Sequence, residues 1–485
     1  MLNIKLISKI IGALLGIEAM LMLVCLVVAI GYHSADIYSF VWSVLITTVA
    51  GIVFRLYGVN ADNNLSRKDA YFVVSIIWVL FSTFATLPFL ISGYLHSFTD
   101  AFFEMMSGFT TTGATIIDYP EKFPQGLLFW RSLTHWIGGL GIVFFTVAIL
   151  PSLVGGSVKV FAAEATGPIK SKLHPRLTTS SKWIWIVYLV LTVTCVLSYK
   201  ICGMGWFDAC NYSMATTATG GFGTSSTSIM GFNKPALDYT AALFCFLSGI
   251  NFSILYASIT GLDIKVLIKN SEIKFYTFVV LSFSCFIAYQ LVHVNQYDVE
   301  HAIRSALFHV CSIITTTGSF NDDAGLWPHI TWVVLATCMV IGGCSGSTSG
   351  GVKSIRIVML FKVIRNEFRQ ILHPNAVLPL KVNGVNISMK QRVTLVSFIG
   401  IYIGIVLISS FIMILIGLDN TNAITITLSS IGNVGPTFGR EIGPTQSWAI
   451  LPDAVKWMCS ILMLLGRLEL FSVLVLFTPD FWKNN

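Results

Sequence analysis

Thr110-Thr-Thr-Gly-Ala-Thr115 and Thr315-Thr-Thr-Gly-Ser-Phe320 are near copies of one another. Two relatives of them, Thr217-Ala-Thr-Gly-Gly-Phe222 and Asn433-Val-Gly-Pro-Thr437, make a set of four. Each follows a short, partly apolar stretch: Asp100-Ala-Phe-Phe, Asp208-Ala-Cys, Ser305-Ala-Leu-Phe and Asn422-Ala-Ile. Counted back from Gly113, Gly318 and Gly435, an alanine stands twelve positions earlier (Ala101, Ala306, Ala423) and a serine six earlier (Ser107, Ser312, Ser429). The second stretch, aligned on Gly220, is one residue out of register. Internal repetition of this kind is how many transport proteins build a central pathway.

The chain around these stretches is 55% hydrophobic and 11% charged, with a mean hydropathy of +0.77. Soluble domains carry roughly 25% charge, so a soluble fold is excluded. Ten apolar runs long enough to cross a bilayer are expected at 10–31, 37–57, 70–94, 126–150, 183–203, 237–258, 275–294, 328–345, 394–417 and 448–477. Lys5 and Lys9 precede the first run, but Gly12 to Ile30 is too long for a signal peptide and lacks a small-residue cleavage site, so it reads as a retained span. The net charge of +7 is not grouped with stacking aromatics, which argues against nucleic acid. It alternates with the spans instead. A cytoplasmic N-terminus puts Arg55, Arg67 and Lys68, then Lys159 to Lys182, then Lys265, Lys269 and Lys274, and finally Lys353 to Arg392 on the inside. Asp100, Asp118, Glu121, Asp322 and Asp323 then fall outside, as the positive-inside rule requires. The C-terminus is then also cytoplasmic. The ten cysteines form no CxxC pair, lie mostly in apolar helices and imply neither metal nor disulfides.

Each of the four segments is too short to cross the bilayer and sits between two full spans on the outer side. It must re-enter, and irregular backbone is tolerated at that depth only where protein or a watery cavity satisfies it. An ordinary outer turn has no reason to carry a preceding half-helix four times over. A bare potassium or sodium ion needs oxygens in place of its water, and backbone carbonyls supply them without adding net charge. Glycine lets the chain turn carbonyls toward an axis, and threonine adds a hydroxyl. The short helix before each loop points its partly negative end at the cavity, which favours a cation.

The four loops, the two extra N-terminal spans and the glycine-rich break described next resemble the TrkH branch of the Trk/Ktr/HKT superfamily over essentially the whole chain. The resemblance implies an all-α membrane protein with ten transmembrane helices. Four M1–pore loop–M2 repeats would stand around a pseudo-fourfold axis, at 69–180, 181–272, 273–389 and 390–485, after a two-helix extension at 1–68. It implies a filter at Thr111, Thr112, Gly113, Ala218, Thr219, Gly220, Thr316, Thr317, Gly318, Asn433, Val434 and Gly435 that binds potassium as its only metal. It further implies a homodimer with one pore per subunit in a bacterial inner membrane, gated by a TrkA-like ring of nucleotide-binding domains docked on the basic segment Lys353 to Arg392. That basic surface could equally face anionic lipid. In this superfamily, serine in place of the first filter glycine goes with sodium conduction, so Gly113 favours potassium.

Helical character runs from Trp327 to about Leu372, far more than one crossing, and is broken at Gly342-Gly-Cys-Ser-Gly-Ser-Thr-Ser-Gly-Gly351. Broken backbone at membrane depth marks a permeation path, and the resemblance makes this loop a gate built from Gly342, Gly343, Gly346, Ser347, Thr348, Gly350 and Gly351. A plain cytoplasmic loop is the alternative, since the basic helix that follows is inside. A P-loop is not, because Val352 separates the glycines from Lys353 and no soluble strand precedes it. Arg467 is the most isolated basic residue of any span. It either faces the pore as a barrier to cations, as the matching residue does in the family, or snorkels inward or pairs with Glu469. Trp136-Ile-Gly-Gly-Leu-Gly141 is expected to permit close helix packing, and His135 and His309 to be structural rather than metal ligands. Asn251-Phe252 has no assigned role.

Potassium uptake through a gated pore is therefore the expected function. A sodium- or proton-coupled symporter is the alternative, disfavoured because mid-span carboxylates are nearly absent. No HExxH, no GxSxG and no Cys/His pair in the membrane point to an enzyme, and no cofactor is expected beyond the permeating ion.

Overall fold

A computed structural model describes residues 2–62, 64–141, 177–261, 265–376, 378–439 and 442–483. The chain opens with a helical hairpin, Ile4–Gly31 and Ile37–Tyr57. Asn3 caps the first helix by accepting the Leu6 N–H. The two helices touch backbone to backbone at Gly12 and Gly51, where a side chain on Gly12 would meet the Gly51 carbonyl.

The same three-part unit then recurs. A long first helix (Arg67–Ala85, Leu177–Ile201, Ser271–His293, Met389–Ile416) leads to a short one (Phe98–Phe109, Trp206–Thr217, Val299–Ile314, Asn420–Gly432) and then to a second helix (Gln125–Leu140, Pro235–Ser248, His329–Ile341, Asp453–Arg467). The first helix of the first unit continues as Leu87–Ser92 after Thr86. Proline marks the start of every second helix, as the first helical residue at Pro235 and as the residue just before the helix at Pro124, Pro328 and Pro452, positions where its missing N–H costs nothing.

The second helices depart from the sequence expectation. They hold 16, 14, 13 and 15 residues, about 20 Å at roughly 1.5 Å per residue, and a bilayer core measures about 30 Å. The expected spans 237–258 and 448–477 are bent pairs, Pro235–Ser248 with Phe252–Thr260 at 98° and Asp453–Arg467 with Phe471–Phe477 at 109°. The expected span 328–345 is the short helix His329–Ile341, ended by Gly342 at φ +70°. Gln125–Leu140 stops at Gly141, φ +90°, and the rest of the expected span 126–150 lies outside the described residues. Among the described residues six helices are long and apolar enough to cross a membrane, or eight if each bent pair counts as one span. Hydropathy cannot see the bends of the second and fourth units, because both arms of each bent pair are apolar.

Among the described residues the only strands form a two-stranded hairpin, Lys381–Val382 with Val385–Asn386, inside the basic segment. Its turn is Asn383-Gly384, both at positive φ, the pair that a tight hairpin requires. Two large apolar cores form among the described residues, one centred on the N-terminal hairpin with the first and fourth units and one on the second and third, and a small third core of Ile355, Met359, Leu380, Val382, Ile387 and Leu395 lies under the strand hairpin.

Candidate permeation pathway

Each short helix ends the same way. The N–H of Thr112, Gly220, Thr317 and Val434 donates to the carbonyl of Ser107, Ala215, Ser312 and Ser429 at 2.9, 2.8, 2.7 and 2.9 Å. The preceding residue, Thr111, Thr219, Thr316 or Asn433, donates three positions back at 3.0–3.3 Å. This is a left-handed helix cap, and the capping residue has φ of +54°, +57°, +59° and +54° in turn. Glycine or asparagine normally fills that place. Threonine is β-branched and is strained there, so the same strain is held in three of the four loops.

Two residues beyond each capping residue, Gly113, Gly221, Gly318 and Gly435 have φ of +78°, +83°, +77° and +99°. A Cβ on Gly113 would meet the Gly220 carbonyl, on Gly221 the Thr317 carbonyl, on Gly318 the Val434 carbonyl and on Gly435 the Thr112 carbonyl. The loops therefore close a cycle in chain order, each glycine backed by the carbonyl of the residue one before the glycine of the next loop. All four glycines line one cavity of about 460 Å³. Asp118 and Tyr119 also line it.

This geometry corrects the second loop's register. Gly221, and not Gly220, is the counterpart of Gly113, Gly318 and Gly435. Gly220 stands with Thr112, Thr317 and Val434, Thr219 with Thr111, and Ala218 with Thr110. Measured from Gly221 the alanine twelve positions back is Ala209, which matches Ala101, Ala306 and Ala423. The sequence held this signal, hidden by two adjacent glycines.

The units are tied together by ion pairs. Lys456 of the fourth second helix reaches Asp100 of the first short helix at 2.6 Å, and Asp238 of the second unit meets Arg304 of the third short helix at 2.5 Å. Arg131 pairs with Glu104 at 2.8 Å, both side chains almost fully buried, and also donates to the Gly223 carbonyl at 3.2 Å. Glu104 in turn accepts the Ile116 N–H at 2.9 Å, so this pair fixes the segment that leaves the first loop. Arg131→Met is expected to destabilise the protein by about 3–5 kcal/mol, because it leaves a buried carboxylate without its partner. Thermal unfolding in detergent measures it, and a melting temperature equal to wild type would rule out that role.

The glycine-rich break lies against the C-terminal caps of the short helices. Thr348 Oγ1 donates to the Thr217 carbonyl at 3.1 Å, and the Gly350 N–H donates to Thr316 Oγ1 at 2.7 Å. A side chain on Gly350 would meet the Gly432 carbonyl. Its other residues hold it to the second unit: the Cys344 N–H donates to the Gly249 carbonyl at 2.9 Å, the Phe252 N–H to Gly346 at 3.1 Å, and Asn251 Nδ2 to Ser345 at 2.5 Å. Ser347 Oγ donates to Cys344 at 2.6 Å, and Gly342 and Gly343 accept from Ser354 at 2.9 Å. Gly351 packs on Gly342. Asn251, unassigned from sequence, thus caps the helix Phe252–Thr260 and holds the break. Glu272 accepts the Ser345 N–H at 2.5 Å, a contact with no sequence signal.

Arg467 joins the break to two units. Its guanidinium donates to the Thr348 carbonyl at 2.8 Å and to the Gly139 carbonyl at 2.6 Å, and also to Gly138. Glu469, a possible partner from sequence, pairs with Arg356 instead. The 136–141 glycines pack closely, since a side chain on Gly138 would meet the Phe109 carbonyl and one on Gly139 would meet Ala218. His309 bonds the Ser305 carbonyl at 3.0 Å. Among the described residues no group of three His, Cys, Asp or Glu could hold a metal ion.

Short helices whose loops close a carbonyl-backed cycle inside a multi-pass helical bundle define a membrane transport protein rather than an enzyme. The TrkH family profile, described as cation transport protein, matches residues 33–484, and the chain belongs to this family. It is 33% identical over 485 residues to the Trk system potassium uptake protein TrkH of Halomonas elongata, covering 100% of both chains. It is likewise 33% identical to TrkG of Escherichia coli K12, over 99% of each. The crystal structure of the potassium transporter TrkH from Vibrio parahaemolyticus superposes with a TM-score of 0.88, 31% identity and 99% coverage of both chains.

Proposed function

We propose that this protein takes up potassium through a channel-like pore whose filter is the cycle of four loops. The closed cycle of glycine-to-carbonyl contacts carries this reading. It gathers backbone oxygens from four chains of atoms at one place without a net charge, which is what a dehydrated monovalent cation needs. The relatives named as potassium uptake proteins support the same ion. The filter is then Thr111 to Gly113, Thr219 to Gly221, Thr316 to Gly318 and Asn433 to Gly435, in ten spans with pseudo-fourfold symmetry, the broken second helices each counting as one span. The break at 342–351 with Arg467 is the gate. Its basic continuation, Lys353 to Arg392, is the docking surface for a TrkA-like cytoplasmic ring, and the protein works as a homodimer in the inner membrane with both termini cytoplasmic.

The test is cation flux into liposomes that hold the purified protein, comparing potassium, rubidium, sodium and lithium. Potassium-favouring flux without an imposed gradient of protons or sodium is expected. Flux that requires such a gradient would instead mean a coupled symporter. Gly113→Ser is expected to reduce discrimination against sodium on the order of tenfold, because its side chain meets the Gly220 carbonyl. Unaltered selectivity in this variant would remove the first loop from the filter.

A further inference from the structure

Three of the four loops carry a side chain at the position that follows the left-handed cap: Thr112, Thr317 and Val434. Thr112 and Thr317 pair their hydroxyls with Thr110 and Thr315, each at 2.8 Å. The second loop has Ala218 and Gly220 at these places and can make no such pair. Yet the space beside Gly220 is filled. A Cβ built there would lie 2.5 Å from the Cγ and Nδ1 of His135 and 2.8 Å from its Cδ2.

His135 belongs to the second helix of the first unit, not to the second unit, and is fully buried. Its Nδ1 bonds the Gly108 carbonyl of the first short helix at 2.8 Å, and its Nε2 accepts the Phe222 N–H of the second loop at 3.3 Å. The two bonds together require the neutral ring with its proton on Nδ1. Its ring lies 4.1 Å from that of Phe222, and Arg131, one turn earlier on the same helix, sits 4.1 Å over the same phenyl ring. The corresponding place in the helix Pro235–Ser248 is taken by Cys245, whose thiol interacts with Thr317. A small residue thus backs a loop that has a side chain, and a large ring backs the loop that has none.

We infer that His135 is a specificity-determining positioning residue. The imidazole stands in for the side chain the second loop lacks and holds the Gly220-Gly221-Phe222 backbone in the cycle, so ion discrimination depends on the pair His135 and Gly220. This rests on the proposed filter function. It makes the second loop the one whose geometry is set by a neighbouring unit.

Full-length protein in liposomes, assayed for rubidium uptake against competing potassium or sodium, tests it. For His135→Ala the potassium-over-sodium preference is expected to fall on the order of tenfold, the scale set by one lost buried hydrogen bond. Adding Gly220→Thr to His135→Cys, which copies the Cys245 and Thr317 pair, is expected to restore the preference to within about threefold of wild type. His135→Ala with wild-type preference, or a double variant no better than His135→Ala, overturns the inference. Should His135→Ala fail to fold, the double variant decides alone: folded and selective supports the pairing, folded and unselective overturns it, and failure to fold overturns it too. Wild-type protein that shows no preference among the cations would instead sink the filter reading beneath it.

Discussion

Gly221→Ala is expected to abolish selective cation flux, with discrimination between potassium and sodium falling by about a hundredfold or more. The residue has φ +83°, where an alanine costs about 1–2 kcal/mol through its Cβ alone. That Cβ also collides with the Thr317 carbonyl and comes within 3.3 Å of the Gly318 carbonyl carbon. A carbonyl in a closed cycle cannot step aside by itself. Moving Thr317 moves Gly318, which is already packed on the Val434 carbonyl, and the displacement passes on to the first loop. Gly220→Ala makes the sharp comparison. Its Cβ meets the His135 ring, a side chain, so trimming His135 relieves that variant but not Gly221→Ala. Liposome flux of the two single variants, each with and without His135→Ala, separates the two positions. Wild-type selectivity in Gly221→Ala would mean that the cycle is not the filter.

Arg467→Ala is expected to raise potassium flux about tenfold or more in the absence of any partner protein, since each bond from a charged donor is worth roughly 1.5–3 kcal/mol. Arg467 donates to carbonyls on the break and on the end of the helix Gln125–Leu140, so it clamps the break to the first unit. Its loss removes both the clamp and a positive charge beside the break. Arg467→Lys tells these apart, because lysine keeps the charge but not the planar fork that reaches separate carbonyls. A barrier of charge alone predicts low flux in the lysine variant, whereas a clamp predicts flux near that of alanine. Flux unchanged in both would reject the gate.

Much of this architecture is legible in the sequence. The four Thr/Gly stretches, the preceding half-helices and the interruption at 342–351 all follow from local chemistry: apolar length, glycine content and the shortness of a segment between two spans. The interruption occurs where five glycines in ten residues make a helix untenable. The bends in the second and fourth units were not legible in the same way. Ile250-Asn251 and Leu468-Glu469-Leu470 stand among apolar neighbours, and composition there does not distinguish a kinked helix from a straight one. Glu469 and Leu470 adopt φ of +55° and +52°, which tertiary contacts impose rather than propensity.

The sequence by itself determined that the chain lives in a membrane, that it repeats a helix, loop and helix unit, and that each loop turns on a glycine. Those properties depend on residues close together in the chain. Only the tertiary structure decided that Arg467 reaches Gly138 and Thr348 rather than Glu469, and that His135 of one unit fills the gap left in the next. The physical reason is the same in each case. The deciding contact is made with a carbonyl or ring from another unit, and no spacing within one unit records where that atom will stand.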